Sequence, residues 1–244
     1  MARQIIVGQQ YCGPPTSGNG GYVCGLMAGL LEGPVTGILR APVPLATPLD
    51  PAVEEGSVRL LGPFGTLIGE ARAADPLLLP TPPPPPVFDA AAEAGRRFPG
   101  LTRVFHPLCF TCSDRPAEGV GLRVFTGQIE GAEEGAVAGT WTCHPVFSDA
   151  NGLAPLEVVW AAMDCPGSVA WLVRGGAGGL LGTMSCEVLR RPAVGEPCVI
   201  TAWPIEATGR KSIAGVALFS DGKLIARAHQ IWIGRPMTAA MPAA

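Results

Sequence analysis

Ser17-Gly18-Asn19-Gly20-Gly21-Tyr22-Val23-Cys24-Gly25-Leu26-Met27-Ala28-Gly29-Leu30-Leu31 runs from a glycine-rich start into a segment without one charged side chain. Val23, Leu26 and Leu30 fall at helical spacing, Ser17 or Asn19 can cap the first turn, and no polar face is left for solvent. Such a helix must be wrapped by other structure. A second segment of the same kind lies at Pro155-Leu156-Glu157-Val158-Val159-Trp160-Ala161-Ala162-Met163-Asp164. It opens with a proline at a first helical position, and Cys165-Pro166-Gly167 reads as its stop. Strand-like runs follow each helix, so one architectural unit is used twice.

Composition sets the frame. A chain of 244 residues with 48% apolar and 15% charged side chains can bury one large core or two smaller ones. A net charge of -3 gives no reason to expect a nucleic acid or an anionic membrane as partner, since both require concentrated Lys and Arg. The first residues lack a basic region followed by an apolar core, and no uninterrupted apolar run reaches the roughly 20 residues that cross a bilayer. A soluble, cytoplasmic protein without a membrane partner is therefore expected. The eight cysteines are spread along the chain and several sit inside apolar runs, where a free thiol behaves as a small hydrophobe. They read as reduced.

In chain order, Gln4 to Val7 is a short strand candidate before helix one. Val35 to Val43, Leu45 to Val53, Ser57 to Leu61 and Thr66 to Arg72 follow as antiparallel strands separated by Pro and Gly. The Gly62-Pro63-Phe64-Gly65 connection makes the last two a hairpin. The character changes at Ala73. Pro80 to Pro86 is extended polyproline, and Phe88 to Arg97 is a short amphipathic helix, so residues 74–102 read as a Pro-rich linker between halves 1–73 and 103–244. In the second half, Arg103 to Phe110, Gly121 to Thr126 and Gly135 to Cys143 are strand candidates ahead of helix two. Val169 to Val173, Leu180 to Leu189, Cys198 to Ala207, Ser212 to Ser220 and Leu224 to Gly234 follow it, with Asp221-Gly222 as a tight hairpin turn.

The order of helix, strand, Glu187-Val188-Leu189-Arg190-Arg191-Pro192-Ala193-Val194-Gly195-Glu196, two strands, an Asp-Gly hairpin and a last strand resembles the hotdog fold of the acyl-CoA thioesterase superfamily. Asn19-Gly20-Gly21 before an apolar helix resembles the His-Gly-Gly helix start of small thioesterases of that fold, and Arg40-Ala41-Pro42-Val43-Pro44-Leu45 resembles its Arg-Pro corner. The resemblance covers most of residues 10–72 and 104–234. It implies an α+β tandem hotdog: two antiparallel sheets, each wrapped around a central apolar helix, packed as a pseudo-twofold pair. The substrate it implies is an acyl-CoA or related thioester, with no cofactor, and with the chain acting as a monomer or a homo-oligomer.

In the resembled enzymes, amides at the Gly-Gly helix start polarise the thioester carbonyl. An acidic residue eight positions along the other subunit's helix acts as base or nucleophile. Helix one here keeps the amides, Gly20 and Gly21 preceded by Asn19, and has Ala28 at the acidic position. Helix two has Asp164 at that position but Pro155, Leu156 and Glu157 in place of the glycines. Each half lacks what the other keeps, which implies one composite site of Asn19, Gly20 and Gly21 facing Asp164, and a dead twin. Two plainer readings stand beside it: Asp164 as a helix-end cap on the Cys165-Pro166-Gly167 turn, and Asn19 as a helix cap only.

Other constellations lead elsewhere. Cys109-Phe110-Thr111-Cys112 has metal-ligand spacing, but no second pair follows, and Cys143 and His144 point to opposite faces of an apparent strand, so no metal is expected. Arg174-Gly175-Gly176-Ala177-Gly178-Gly179 lacks dinucleotide spacing and reads as a flexible connection. No Gly-x-Ser-x-Gly elbow is present. His106, His144 and His229 have no Ser or Cys partner in sequence and read as structural or surface residues, and the acid-plus-histidine pattern of hydratase relatives is missing. Two functions remain: a thioester hydrolase, or a catalytically silent acyl-ligand binder of the same fold.

Overall fold

The computed structural model describes residues 4–176 and 178–234. Ala177, within the glycine-rich connection, lies outside the described residues. The elements in chain order are β1 (Ile5–Ile6), α1 (Gly20–Ala28), β2 (Val35–Leu39), β3 (Pro48–Glu54), β4 (Ser57–Leu61), β5 (Leu67–Ala73), α2 (Phe88–Gly95), β6 (Gly127–Gln128), β7 (Val137–Thr142), α3 (Leu156–Ala162), α4 (Asp164–Val173), β8 (Gly179–Val188), β9 (Pro197–Thr208), β10 (Lys211–Ser220) and β11 (Lys223–Gly234).

The strands form one antiparallel sheet of eleven, in the order β1-β3-β4-β5-β2-β8-β11-β10-β9-β7-β6. Two separate sheets were expected. They are joined because β2 and β8, the strands that follow the apolar helices, pair with each other from Val35↔Cys186 to Ile38↔Thr183. The Thr36 and Ser185 hydroxyls lie 2.8 Å apart on this seam. Outward from the seam the succession is the same on both sides, β2-β5-β4-β3-β1 and β8-β11-β10-β9-β7, with β6 beyond.

The turns follow from their residues. Asp221 and Gly222 both take positive φ (49° and 69°), as a two-residue hairpin of the Asp-Gly kind requires, and connect β10 to β11. The β4–β5 hairpin closes through the Gly62 amide, which donates to the Thr66 carbonyl at 2.8 Å.

Side chains alternate across the sheet. On β9, Cys198, Ile200 and Ala202 join the main core with Val23, Met27, Trp160 and Met184, whereas Val199 points to the opposite face. There it meets Ala91 and Ala94 of α2, together with Ala138, Ala217 and Phe219. The short helix at Phe88 is thus placed as expected and covers the outer face of the sheet.

Helix two differs from its sequence reading. Cys165-Pro166-Gly167 does not stop it. The chain breaks at Met163 and restarts, so that Pro166 falls in the first turn of α4, where its missing N–H has no intrahelical partner to lose. Val169 to Val173, expected as a strand, is the rest of this helix. Arg103 to Phe110 and Gly121 to Thr126 are not strands either. Pro107 interrupts the first, and their backbone bonds are scattered: the amides of Phe110, Leu122 and Val124 donate to the carbonyls of Cys12, Phe110 and Thr111.

Candidate active site

Helix α1 begins where its chemistry puts it. Asn19 takes extended dihedrals as N-cap, and its Oδ1 accepts from the Tyr22 amide at 2.9 Å. Asn19 Nδ2 donates to Thr111 Oγ1 at 3.1 Å, and that hydroxyl donates to the Ala161 carbonyl at 2.7 Å. Asn19 is 1% exposed and Thr111 is fully buried. The plain reading of Asn19 as a cap therefore holds, and the residue has a second task besides.

Gly21, Gly25 and Gly29 recur every fourth residue and form a side-chain-free face on α1. A Cβ on Gly21 would lie 2.6 Å from the Trp160 carbonyl oxygen and 2.8 Å from Asp164 Cβ, and one on Gly25 would lie 2.5 Å from Glu157 Cα. The helices α1 and α3 run antiparallel in near backbone contact because nothing projects between them. This is why a glycine-rich helix start can reach a carboxylate carried on the other helical segment.

The Gly21 amide donates to Asp164 Oδ2 at 3.0 Å, across 143 positions of sequence. Asp164 is 4% exposed, and its other oxygen, Oδ1, has no protein partner. Burial pushes the carboxyl up to about 7. The Gly21 amide opposes that shift, a thiolate at Cys109 would add to it, and Asn19 and the Gly20 amide oppose it further. The structure thus brings Asn19, Gly20, Gly21 and Asp164 together. Asp164 is not the cap at the end of helix two but the first residue of α4, so its carboxylate lies beside the starts of two helices, where negative charge is favoured.

Residues that sequence reasoning missed hold this arrangement. Gln230, fully buried on β11, donates to the Met163 and Asp164 carbonyls at 2.8 and 3.2 Å, and its Oε1 accepts from Trp232 Nε1 at 2.9 Å. It fastens the break between α3 and α4. Gly167 is required opposite, since a Cβ there would overlap Gln230 Oε1. The available signal was a polar residue at an inward position of an alternating strand.

At the other end of the helix pair, Ala28 is buried and Leu156 packs toward Gly29. His144 caps a short turn, its Nδ1 accepting from the Val146 amide, while His229 lies on β11 with its imidazole held below its usual range by burial. A cavity of about 360 Å³ bordered by Leu122, Arg123, Trp141, His144 and Gly195 includes none of Asn19, Gly20, Gly21 or Asp164.

All eight cysteines are free thiols. Three of them converge. Cys109 Sγ lies 3.6 Å from both Cys112 and Cys165, and the three sulfurs are mutually within 4.8 Å. Hydrogen bonds from its two neighbours draw Cys109 well below the usual thiol range and hold theirs above it.

No family model matches the sequence, and no curated protein matches it. Among solved structures, the chain is similar to a protein from Novosphingobium aromaticivorans DSM 12444 classed among the thioesterases, at 14% identity and a TM-score of 0.60 over 95% of this chain and 94% of that one. It is also similar to a thioesterase superfamily protein, at 21% identity and a TM-score of 0.44 over 50% of this chain and 61% of that one. A Streptococcus mutans UA159 protein solved bound to acetyl CoA matches 42% of this chain and 83% of its own at 14% identity and a TM-score of 0.40. The first likeness runs almost end to end, and the chain has the hotdog fold of thioesterase-superfamily structures.

Proposed function

We propose that the chain is an acyl-CoA thioesterase-like hydrolase built as a tandem hotdog. Residues 1–73 and 103–244 form its halves, 74–102 is the linker, and a single composite site lies between the two halves. The repeated strand succession on either side of the β2–β8 seam supports the pseudo-twofold pairing. The observation that carries the functional reading is the 3.0 Å bond from the Gly21 amide to the Asp164 carboxylate. A carboxylate oxygen on a helix-start amide occupies the kind of position that a thioester oxygen takes as it becomes an oxyanion.

The proposed chemistry follows. The substrate carbonyl oxygen displaces Asp164 Oδ2 from the Gly21 N–H, leaving the carboxylate beside the carbonyl carbon. Asp164 takes a proton from water, the hydroxide adds to that carbon, and the C=O electron pair moves to the oxygen held by the amide. Collapse expels the CoA thiolate, which takes the proton back from Asp164. Asn19 and Thr111 hold the start of α1 in place. Free thiols throughout suit a reducing compartment such as the cytoplasm.

A silent acyl-ligand binder is the second reading, favoured by the burial of Asp164 at 4% exposure. Thiol release from a panel of acyl-CoAs separates the two. Under the hydrolase reading at least one substrate turns over, and Asp164→Asn, which keeps an acceptor for the Gly21 amide, lowers kcat by roughly a hundredfold or more. Near-normal turnover by that variant excludes Asp164 as base or nucleophile. Saturable acyl-CoA binding without any turnover by the unmodified protein establishes the binder instead.

A further inference from the structure

We infer that Cys109, Cys112 and Cys165 bind a soft divalent metal ion, zinc by preference, through three thiolates, with a fourth coordination position left to water or a further group. Sequence spacing supplies only the Cys109-x-x-Cys112 pair. Folding supplies the third ligand, since Cys165 follows the break between α3 and α4 and enters the first turn of α4 beside the loop that carries the pair.

The distances fit an ion. Zinc–sulfur bonds of about 2.3 Å in tetrahedral geometry separate neighbouring sulfurs by about 3.8 Å. Cys109 Sγ is 3.6 Å from each of its two neighbours, and all three sulfurs lie within 4.8 Å of one another. A disulfide between any two would require sulfurs about 2.0 Å apart and would leave the third without a purpose. Besides one another's weak S–H groups, the backbone N–H groups of Thr111 and Cys112 point at Cys109 Sγ, the kind of donor that supports a thiolate, and Cys109 is buried with the other two partly so. The remaining five cysteines do not assemble in this way: among the described residues this is the metal-ligand cluster. A small cavity of about 10 Å³, bordered by Cys112, His106, Ser113 and Asp114, adjoins the cluster. That is room for about one water.

The location gives the ion a structural task. Thr111, which holds Asn19 and the Ala161 carbonyl, lies between Cys109 and Cys112, and Asp164 immediately precedes Cys165. One ion on these thiolates ties the loop that positions the start of α1 to the residue that the start of α1 contacts.

The inference is tested without reference to turnover, so it stands or falls separately from the hydrolase reading. The full-length protein, produced in zinc-supplemented medium and purified without chelator, is assayed by elemental analysis. About one zinc per chain is expected. Cobalt replacement should give a near-ultraviolet sulfur-to-cobalt charge-transfer band together with tetrahedral visible bands. Cys109→Ser and Cys165→Ser should each lower metal occupancy at least tenfold at equal free zinc, while Cys143→Ser retains it. Should the serine variants fail to fold, titration of the unmodified protein with cobalt against a competing chelator decides the matter. Absence of the charge-transfer band, absence of zinc after supplementation, or loss of bound metal in Cys143→Ser to the same extent as in Cys165→Ser would overturn the inference. So would a Cys109–Cys112 disulfide in protein purified under nitrogen.

Discussion

Replacing Gly21 by alanine puts one methyl group into the narrowest contact between the helices. Its Cβ would meet the Trp160 carbonyl oxygen at 2.6 Å and Asp164 Cβ at 2.8 Å, and neither can swing aside as a flexible side-chain tip would. Over-packing of this kind costs about 1–3 kcal/mol. Separation of the helices also weakens the Gly21–Asp164 bond, and a hydrogen bond to a charged group contributes about 1.5–3 kcal/mol. The gain from placing alanine in a helix offsets about 1 kcal/mol. The net loss is about 2–5 kcal/mol, which in a chain of this size lowers Tm by about 4–20 °C. The internal control is Gly29→Ala, whose Cβ meets nothing closer than 3.6 Å and whose φ of −64° suits any residue. That variant should melt within a few degrees of the unmodified protein. Differential scanning calorimetry on both, with urea titration as a check, measures the contrast. If Gly21→Ala and Gly29→Ala melt together, the close approach of α1 and α3 is not what positions Asp164.

Thr111→Val removes the hydroxyl that links Asn19 to the Ala161 carbonyl and leaves the buried Asn19 amide without its acceptor. A loss of about 1–3 kcal/mol in urea unfolding is expected, with no change in slope. Glu196 is held down to about 2 by Arg190, 2.6 Å away, assisted by the Ser220 hydroxyl and the Ala193 amide. A depressed carboxylate stabilises the fold above the ordinary pKa near 4.5 and loses that contribution as pH falls through about 2. Thermal melts between pH 5 and pH 2 should therefore fall less steeply for Glu196→Gln than for the unmodified protein, and parallel curves would show that the carboxylate does not hold this corner.

Local chemistry was legible in the sequence and long-range geometry was not. Asn19 as cap, Gly20 as the first helical residue, the Ser57–Leu61 strand and the Asp221-Gly222 turn depend on neighbours within a few residues, and each appears where the residues place it. Cys165-Pro166-Gly167 misled because proline and glycine punctuate a helix at its start as well as at its end, and only the Met163 break distinguishes the two. Arg103 to Phe110 has the apolar content of a strand, but its hydrogen-bonding partners were to be decided by Cys12 and Leu122, far away in sequence. The meeting of Asp164 with Asn19, Gly20 and Gly21 was expected through resemblance. The Gly21, Gly25 and Gly29 face that permits it is visible in the sequence as a glycine every fourth residue, but only the fold shows what it packs against. Thr111, Gln230 and the third thiol at Cys165 required the fold, since each acts on residues that no spacing rule connects.

The sheet is wide in the middle and nearly vanishes at its ends. Strands of ten to twelve residues occupy one half of its interior, yet the outermost members, β1 and β6, have two residues each. An exposed strand edge is a template for another chain, and its capacity grows with the length of unpaired backbone it offers. The two-residue strands offer almost none themselves, but β1 pairs only with Pro48 and Leu49 of β3, and β6 only with Val137 and Ala138 of β7, so the rest of β3 and of β7 carries no further ladder partner on that side among the described residues. Whatever template the sheet offers a second chain lies in those short remaining stretches, about two thirds of each strand, and not along the ten- to twelve-residue strands of its interior.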